Sequence, residues 1–389
     1  MTLSKLRRGT TATMLALALG LGASGCSSDF TVSYLYATTS RQNPGLINAY
    51  KISNRNGALE QLADSPVPSG GRNPVAITLA PNSLFLYVVN RDDSTVVEFA
   101  IGTDGKLYAQ HTYNTTGSFP TAAAVSADGK FLYVSYLYQF GFTTASPGPG
   151  GLSVFPIAAD NTLGTPVNVN AGRNPVAIAT SKTGSFVYVL NQDPATGANL
   201  LGFAANGNSL TPLAGVTINP GNVASTGFAV GTAATSLPSA IAEDSAGKNI
   251  YVTDFAANRI FGFTVTNGIP TAMASSYSTD VGPSGITIDP TGKLLYVTNY
   301  TAGTIGTYTV QTNGTLLGSA ASSSSQAGAG ATCITVEPRR GIYLYTTNFL
   351  DNSITGKQLD PATGALTSIQ GTPFVASFQP TCAVIARAF

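Results

Sequence analysis

Residues 283–299 read PSGITIDPTGKLLYVTN: an alternating run, a turn built on proline and glycine, and a second run centred on Tyr296. Two apolar runs joined by so short a turn predict an antiparallel hairpin. The same frame recurs as PVAITLAP from Pro74, PTAAAVSA from Pro120, PVAIATSK from Pro175, PSAIAEDS from Pro238, ATCITVEP from Ala331 and PTCAVIAR from Pro380. The heptapeptide GRNPVAI stands at both 71–77 and 172–178, 101 residues apart, which marks an internal duplication. Tyrosine-centred runs follow at Tyr87, Tyr133, Tyr188, Tyr251, Tyr296 and Tyr345. Proline and tyrosine are 13 residues apart in five consecutive copies, whereas successive prolines are 45 to 63 apart. A rigid hairpin is therefore repeated while the loops between copies vary.

Each copy continues with an alternating run (TVVEFAI, GLSVFPI, RIFGFTV, TIGTYTV) and then an Asx-Gly pair, as in TDGKL or TNGTL. Asx-Gly between apolar runs signals a second hairpin. Every unit is thus four antiparallel strands, here called a to d. Such units at roughly 45-residue spacing predict an all-β seven-bladed β-propeller, with the small residues of strand a at the crowded axis. The first copy begins midway, at YLYATT (34–39), and the last stops after strand a, at PTCAVIARAF (380–389). The ends complement each other, so the C-terminal strand is expected to complete the N-terminal blade and remove an open edge.

Lys5, Arg7 and Arg8 precede an apolar run from Ala12 to Leu21 and the small residues Ala23-Ser24-Gly25-Cys26. The stretch reads as a secretory signal over 1–25, too short and wrongly flanked to span a bilayer. It resembles a bacterial lipoprotein signal, which implies cleavage before Cys26 and acylation there. Residues 26–30 then form a lipidated tether and 31–389 the propeller, in the cell envelope and by expectation at the outer membrane. Removing the signal leaves 16 basic residues against 18 acidic ones. That balance argues against a nucleic-acid partner.

The pattern P-x-x-I…G-x-x-x-Y-V-x-N resembles the lactonase-type seven-bladed propellers, which include bacterial 6-phosphogluconolactonase and fungal muconate-lactonising enzymes, and the broader YVTN-type propellers. The likeness covers Thr31 to Phe389. It implies a histidine, a glutamate and arginines on the blade-top face. The chain departs from this, because its one histidine, His111, lies in strand d and reads as a solvated rim residue. A Ser-His-Asp triad or a histidine-rich metal site is thereby excluded. Lactone hydrolysis would need a carboxylate-assisted water and arginine stabilisation of the oxyanion.

Candidates follow from position in the repeat. Arg72 and Arg173, immediately before strand a in two blades, are expected at the channel mouth, where guanidinium forks hold a carboxylate or phosphate. Arg91, Asp92, Asp93, Asn191, Asp254, Asn299, Tyr300 and Asn348 follow the tyrosine strands and are expected to line the same face. Asp92 and Asp93 have the chemistry for a hard cation, but Asx residues at such turns ordinarily cap their own backbone, so neither a metal nor another cofactor is expected. Glu243 replaces the apolar residue or threonine of other blades at the end of strand a. Burial there would raise its pKa toward acid–base use, making it the candidate catalytic base. In the insertion at 136–150, Tyr136, Tyr138, Phe140 and Phe142 alternate, as if sharing one face of an extended ribbon. Cys333 and Cys382 are a candidate disulfide, although equivalent positions in adjacent blades should point the same way around the ring. The reading is a monomeric propeller taking a small anionic ligand or an envelope protein on its top face. Lactone hydrolysis and an envelope assembly scaffold are the alternatives.

Overall fold

The computed structural model describes residues 30–40, 42–194, 197–219, 225–231, 235–318 and 324–388. The lipobox with Cys26 lies outside them. Every regular element among the described residues is a β-strand. The strands form seven antiparallel sheets, each ordered as the chain runs. In the second blade, for example, the order is Pro74–Leu79, Phe85–Asn90, Thr95–Ile101 and Leu107–Asn114.

The ring closes as the sequence predicts. Strand Pro380–Arg387 pairs with Thr31–Thr39, with Leu35 opposite Ile385 and Ser33 opposite Arg387. The first blade therefore takes its innermost strand from the C-terminus. Cys333 and Cys382 lie on neighbouring innermost strands with Cα atoms 5.0 Å apart and form a disulfide. The expectation that equivalent positions, pointing the same way around the ring, would not meet fails because inner strands crowd together at the axis. A 5.0 Å Cα separation lies within the span of a disulfide.

Strand b carries the core, since both its faces pack against neighbouring blades. Asn249–Asp254, Leu294–Asn299 and Tyr343–Asn348 are buried at every position. The repeated tyrosine has a second task. Tyr36, Tyr87, Tyr188, Tyr251 and Tyr345 are fully buried, and each donates its hydroxyl to a c–d turn carbonyl of the next blade. The acceptors are Gly105, Asn161, Gly268, Gly314 and Gly57, at 2.5–2.9 Å. The glycine of the Asx-Gly turn is needed for this approach. Gly105 has φ +80°, and a Cβ there would sit 2.3 Å from the Tyr34 ring of the preceding blade.

A belt of hydroxyls ties the inner strands together. The residue after the strand-a proline reaches the carbonyl that opens the next inner strand: Thr381 to Pro74, Thr121 to Pro175, Ser239 to Pro283, Ser284 to Ala331 and Thr332 to Pro380. Both GRNPVAI blades place valine there, Val75 and Val176, and interrupt the belt.

Candidate functional site

The d–a and b–c loops form one face of the ring, the blade top, while the a–b and c–d turns form the other. On the top face the residue before strand a is left-handed in six blades: Asn73, Asn174 and Gln379 at φ 51–53°, Gly282 and Gly330 at 70–74°, and Phe119 at 58°. Glycine and asparagine adopt this conformation readily, but a bulky aromatic does so only at about 1–2 kcal/mol. Strain of this kind persists where the surroundings or a function impose it. At Phe119 the backbone turn aims the ring at two neighbours. Tyr138 meets it edge-on at 6.0 Å, and the Arg91 guanidinium carbon lies 5.9 Å from its centroid.

Arg91 sits where the hydroxyl belt is broken. In the other GRNPVAI blade the break is repaired by Gln192, whose amide donates to the Pro238 carbonyl at 2.8 Å. Arg91 holds the equivalent position, one residue after the conserved-in-repeat Asn90. Instead of bridging, it lies over Phe119, and its buried Nε finds no acceptor among the described residues. A guanidinium with five donors, an aromatic support and no carboxylate partner is suited to receive an anion.

The two heptapeptide arginines have different fates. Arg72 is locked into its own blade: Nε donates to Asp93 Oδ1 at 2.7 Å, its backbone N–H to Asp93 Oδ2 at 2.6 Å, and Nη2 to the Asp92 carbonyl at 3.2 Å. The Arg72 hydrogen bond in turn holds the Asp93 carboxyl below its ordinary pKa. Asp92 is also engaged, accepting from Asn73 at 3.2 Å. These three residues brace a loop and do not line an open site. At the place of Asp93 the fourth blade has Pro194. There Arg173 lines a cleft of about 450 Å3 with Tyr138, Pro147, Gly148, Asn174 and Pro194. Tyr138 thus joins Arg91 and Phe119 on one side to Arg173 on the other.

Most other expected site residues are structural. Asn191, Asp254, Asn299 and Asn348 are fully buried at the ends of strand b. Asn348 donates to Ser353 and Thr355, Asn299 to Thr304, and Asn191 to Asn199, so they brace strand b to strand c. Asp254 accepts the backbone N–H groups of Leu237, Ala256 and Ala257, as a loop cap does. Tyr300 packs its ring against Phe255, 6.3 Å away.

Glu243 lies at the wrong end for a shared site. Strand Pro238–Glu243 starts at the top face and ends at the opposite one, about 17–20 Å away for six residues. There one carboxylate oxygen accepts the Lys182 backbone N–H at 2.8 Å, while the other is buried with no partner among the described residues. Burial pushes the carboxyl up to about 7 against the pull of Lys182. It lines a recess of about 420 Å3 between the a–b turns, far from Arg91 and Arg173.

The aromatic insertion does not present one face. Tyr136 is wholly buried and Tyr138 packs on Phe119. Phe142 covers Gly148, and only Phe140, 97% exposed, faces solvent. The alternation is broken by a register shift between Ser135 and Tyr136. His111 keeps an exposed edge, but its Nδ1 lies 3.3 Å from the buried Glu98 carboxylate, which also accepts from Tyr113 at 2.8 Å. Among the described residues no three metal-ligating His, Cys, Asp or Glu side chains converge.

The site that emerges holds Arg91, Phe119, Tyr138, Arg173 and Asn174 from three consecutive blades. Phe119 was legible only by comparing the seven residues that precede strand a, where it is the one aromatic side chain. Two guanidinium groups flanking an aromatic pair suit a small anion with a stackable ring or chain.

The family model described as lactonase, seven-bladed beta-propeller, matches residues 45–139 and 214–336. A 6-phosphogluconolactonase of Pectobacterium atrosepticum is 36% identical over 111 residues, 28% of this chain and 29% of that protein. The aligned stretch thus spans less than a third of the curated relative. Among solved structures, a putative 6-phosphogluconolactonase from Bacteroides uniformis has a TM-score of 0.74 at 19% identity, covering 92% of this chain and 100% of its own. A periplasmic gluconolactonase of Pseudomonas aeruginosa has the same TM-score and coverage at 18% identity. At such identities these structures speak for the fold alone.

Proposed function

The chain belongs to the lactonase family of seven-bladed β-propellers, and from that premise we propose that it binds a small anionic sugar acid, or the lactone of one, at the blade top. The observation that carries this reading is Arg91, a partly buried guanidinium laid on the strained Phe119 with no carboxylate partner among the described residues. Beside it, Tyr138 and Arg173 line a cleft large enough for a sugar-sized ligand. The signal-like segment before Cys26 supports export and acylation, and with them a binding function in the cell envelope, at the outer membrane.

Titration calorimetry with gluconate, 6-phosphogluconate and their lactones tests the proposal. Arg91→Ala and Arg173→Ala should each weaken binding by about 1.5–3 kcal/mol, the loss of a charge-assisted contact. Arg72→Ala should leave affinity unchanged, since that side chain is held by Asp93. Phe119→Asn should stabilise the fold by about 1 kcal/mol through relief of left-handed strain, yet weaken binding. No affinity for any of these compounds, or an equal loss from Arg72→Ala, would overturn the reading.

Lactone hydrolysis is the second reading, favoured by the family and by the names of its relatives. It needs a base to activate water. None of the described side chains lining the cleft is a carboxylate or imidazole, and the carboxylate nearest in sequence, Asp193, is buried beside Pro194. Glu243, at the opposite face, is not that base. Turnover of a lactone panel above the buffer rate, abolished by Asp193→Asn with binding retained, would establish hydrolysis.

A further inference from the structure

The face opposite the candidate site carries an uneven distribution of charge. Its inner ring is made of the a–b turns, which touch from blade to blade: Gly129 lies against Pro81, Gly184 against Ala127, Gly292 against Ser245, and Gly341 against Pro290. Five consecutive turns carry exposed cations, Lys130, Lys182, Lys248, Lys293 and the pair Arg339–Arg340. Arg387, at the end of the closing strand, adds an exposed cation in the sixth position. The acids of the same turns are withdrawn from the surface. Asp244, Asp289 and Glu337 are buried and accept the N–H groups of Lys248, Lys293, Arg339 and Arg340. Only Asp128, beside Lys130, remains as an exposed carboxylate on these turns. A chain with near-balanced charge overall thus concentrates seven of its cations on one ring.

The N-terminus leaves the fold at this same face. Strand Thr31–Thr39 starts opposite Ser53 and Arg387 and runs toward the top. Just before it, the Phe30 carbonyl accepts the Asn54 backbone N–H, the Phe30 N–H donates to the Asn54 side-chain oxygen, and the Arg340 guanidinium donates to the Asn54 carbonyl. Counted from Cys26 to Phe30, five residues reach no more than about 18 Å however extended.

We propose that the cationic ring of a–b turns docks on an anionic phospholipid surface, so that the propeller lies with this face to the membrane and its blade top turned away. The orientation rests on acylation at Cys26, whereas the lipid affinity of the ring does not. The ring adds to the lipid an attachment of a different physical kind, electrostatic and not hydrophobic. Each cation near such a surface strengthens binding about fivefold, and salt screens it.

The test uses the mature chain, residues 26–389 with Cys26→Ser, which carries neither lipid nor signal, sedimented with vesicles of phosphatidylcholine alone or mixed with phosphatidylglycerol. Binding is expected only to the anionic vesicles and only at low salt. The triple variant Lys182→Gln, Lys248→Gln, Lys293→Gln should bind them roughly tenfold to a hundredfold more weakly, with an unchanged melting temperature. Arg91→Ala with Arg173→Ala, on the other face, should bind them as well as the parent. Absence of binding to anionic vesicles would overturn the proposal, as would equal binding by the triple variant. Tighter salt-sensitive binding to single-stranded nucleic acid than to lipid, lost in the same triple, would also overturn it. Acylation is scored separately, by the lipid on wild-type Cys26, so the anchor and the ring can fail independently.

Discussion

Single residues in this propeller are read correctly only when the copy they belong to is known. Two arginines in identical heptapeptides part company because one faces Asp93 and the other follows a loop with Pro194 in that place. No local pattern around GRNPVAI announces the difference; it arises from a contact between two loops about 20 residues apart. The asparagines ending strand b read as a surface in the sequence because exposed loops follow them, but burial at that last strand position turns them inward. Glu243 was legible as an anomaly, and its raised pKa follows from desolvation as expected. What the repeat pattern also contained, and position on the channel alone did not show, is the end of the strand on which it stands. Its ionisation has a definite sign for stability. The folded carboxyl sits near 7 rather than its ordinary 4.5, so the fold favours the protonated form. The stability it contributes is fully present below about pH 4.5 and is lost as pH rises through 7. Glu243→Gln should therefore raise the melting temperature at pH ~8, worth roughly 1–3 kcal/mol, and change little at pH ~5. Chemical denaturation of both proteins at the two pH values decides it; equal effects at both would show that the carboxylate is not the cause.

At the scale of elements, the hairpin of strands a and b was the most legible feature, because a fixed proline-to-tyrosine spacing leaves one register for it. Closure was legible from the two ends, each lacking what the other has. Short fifth strands at Val67–Pro68, Ser325–Gln326 and Phe374–Val375 were not, since runs of two residues carry no period. The tyrosine rivets also escaped the sequence, because their acceptors are backbone carbonyls in another blade. They make closure cooperative: Tyr345 of the last blade bonds Gly57 of the first, and Tyr36 of the first bonds Gly105 of the second. Ile385→Ala should destabilise the ring by about 2–4 kcal/mol, the usual result of emptying a packed site. Tyr345→Phe should cost about 1–2 kcal/mol, because the Gly57 carbonyl loses its buried donor. Deleting residues 380–389 should do more than either, exposing the edge of Thr31–Thr39 and leaving aggregates in place of one cooperative transition. A soluble, cooperatively melting truncation in calorimetry would show that the first blade stands without its borrowed strand.

The whole molecule separates its chemistry by face. The blade top holds the guanidinium and aromatic groups proposed to bind ligand, while the a–b turns hold the cationic ring and the exit of the chain. Antiparallel alternation enforces this separation, since each strand ends on the face opposite its start. A tether of five residues then fixes which face meets the membrane, provided that Cys26 is acylated. Two attachments of different physical kinds should be separable in cells. Cys26→Ser, exported behind a signal whose removal does not need the cysteine, should lack the hydrophobic one, leaving protein that sediments with membranes at low salt and is released at high salt, where the ring is screened. Combining it with Lys182→Gln, Lys248→Gln and Lys293→Gln should release the protein at low salt as well. The wild type, held by its lipid, should stay with membranes through both washes. If Cys26→Ser remains membrane-bound after the high-salt wash, the signal-like segment is not a lipoprotein signal, and the attachment has another origin. If it is released already at low salt, the ring adds too little to matter in cells, and the anchor alone holds the propeller.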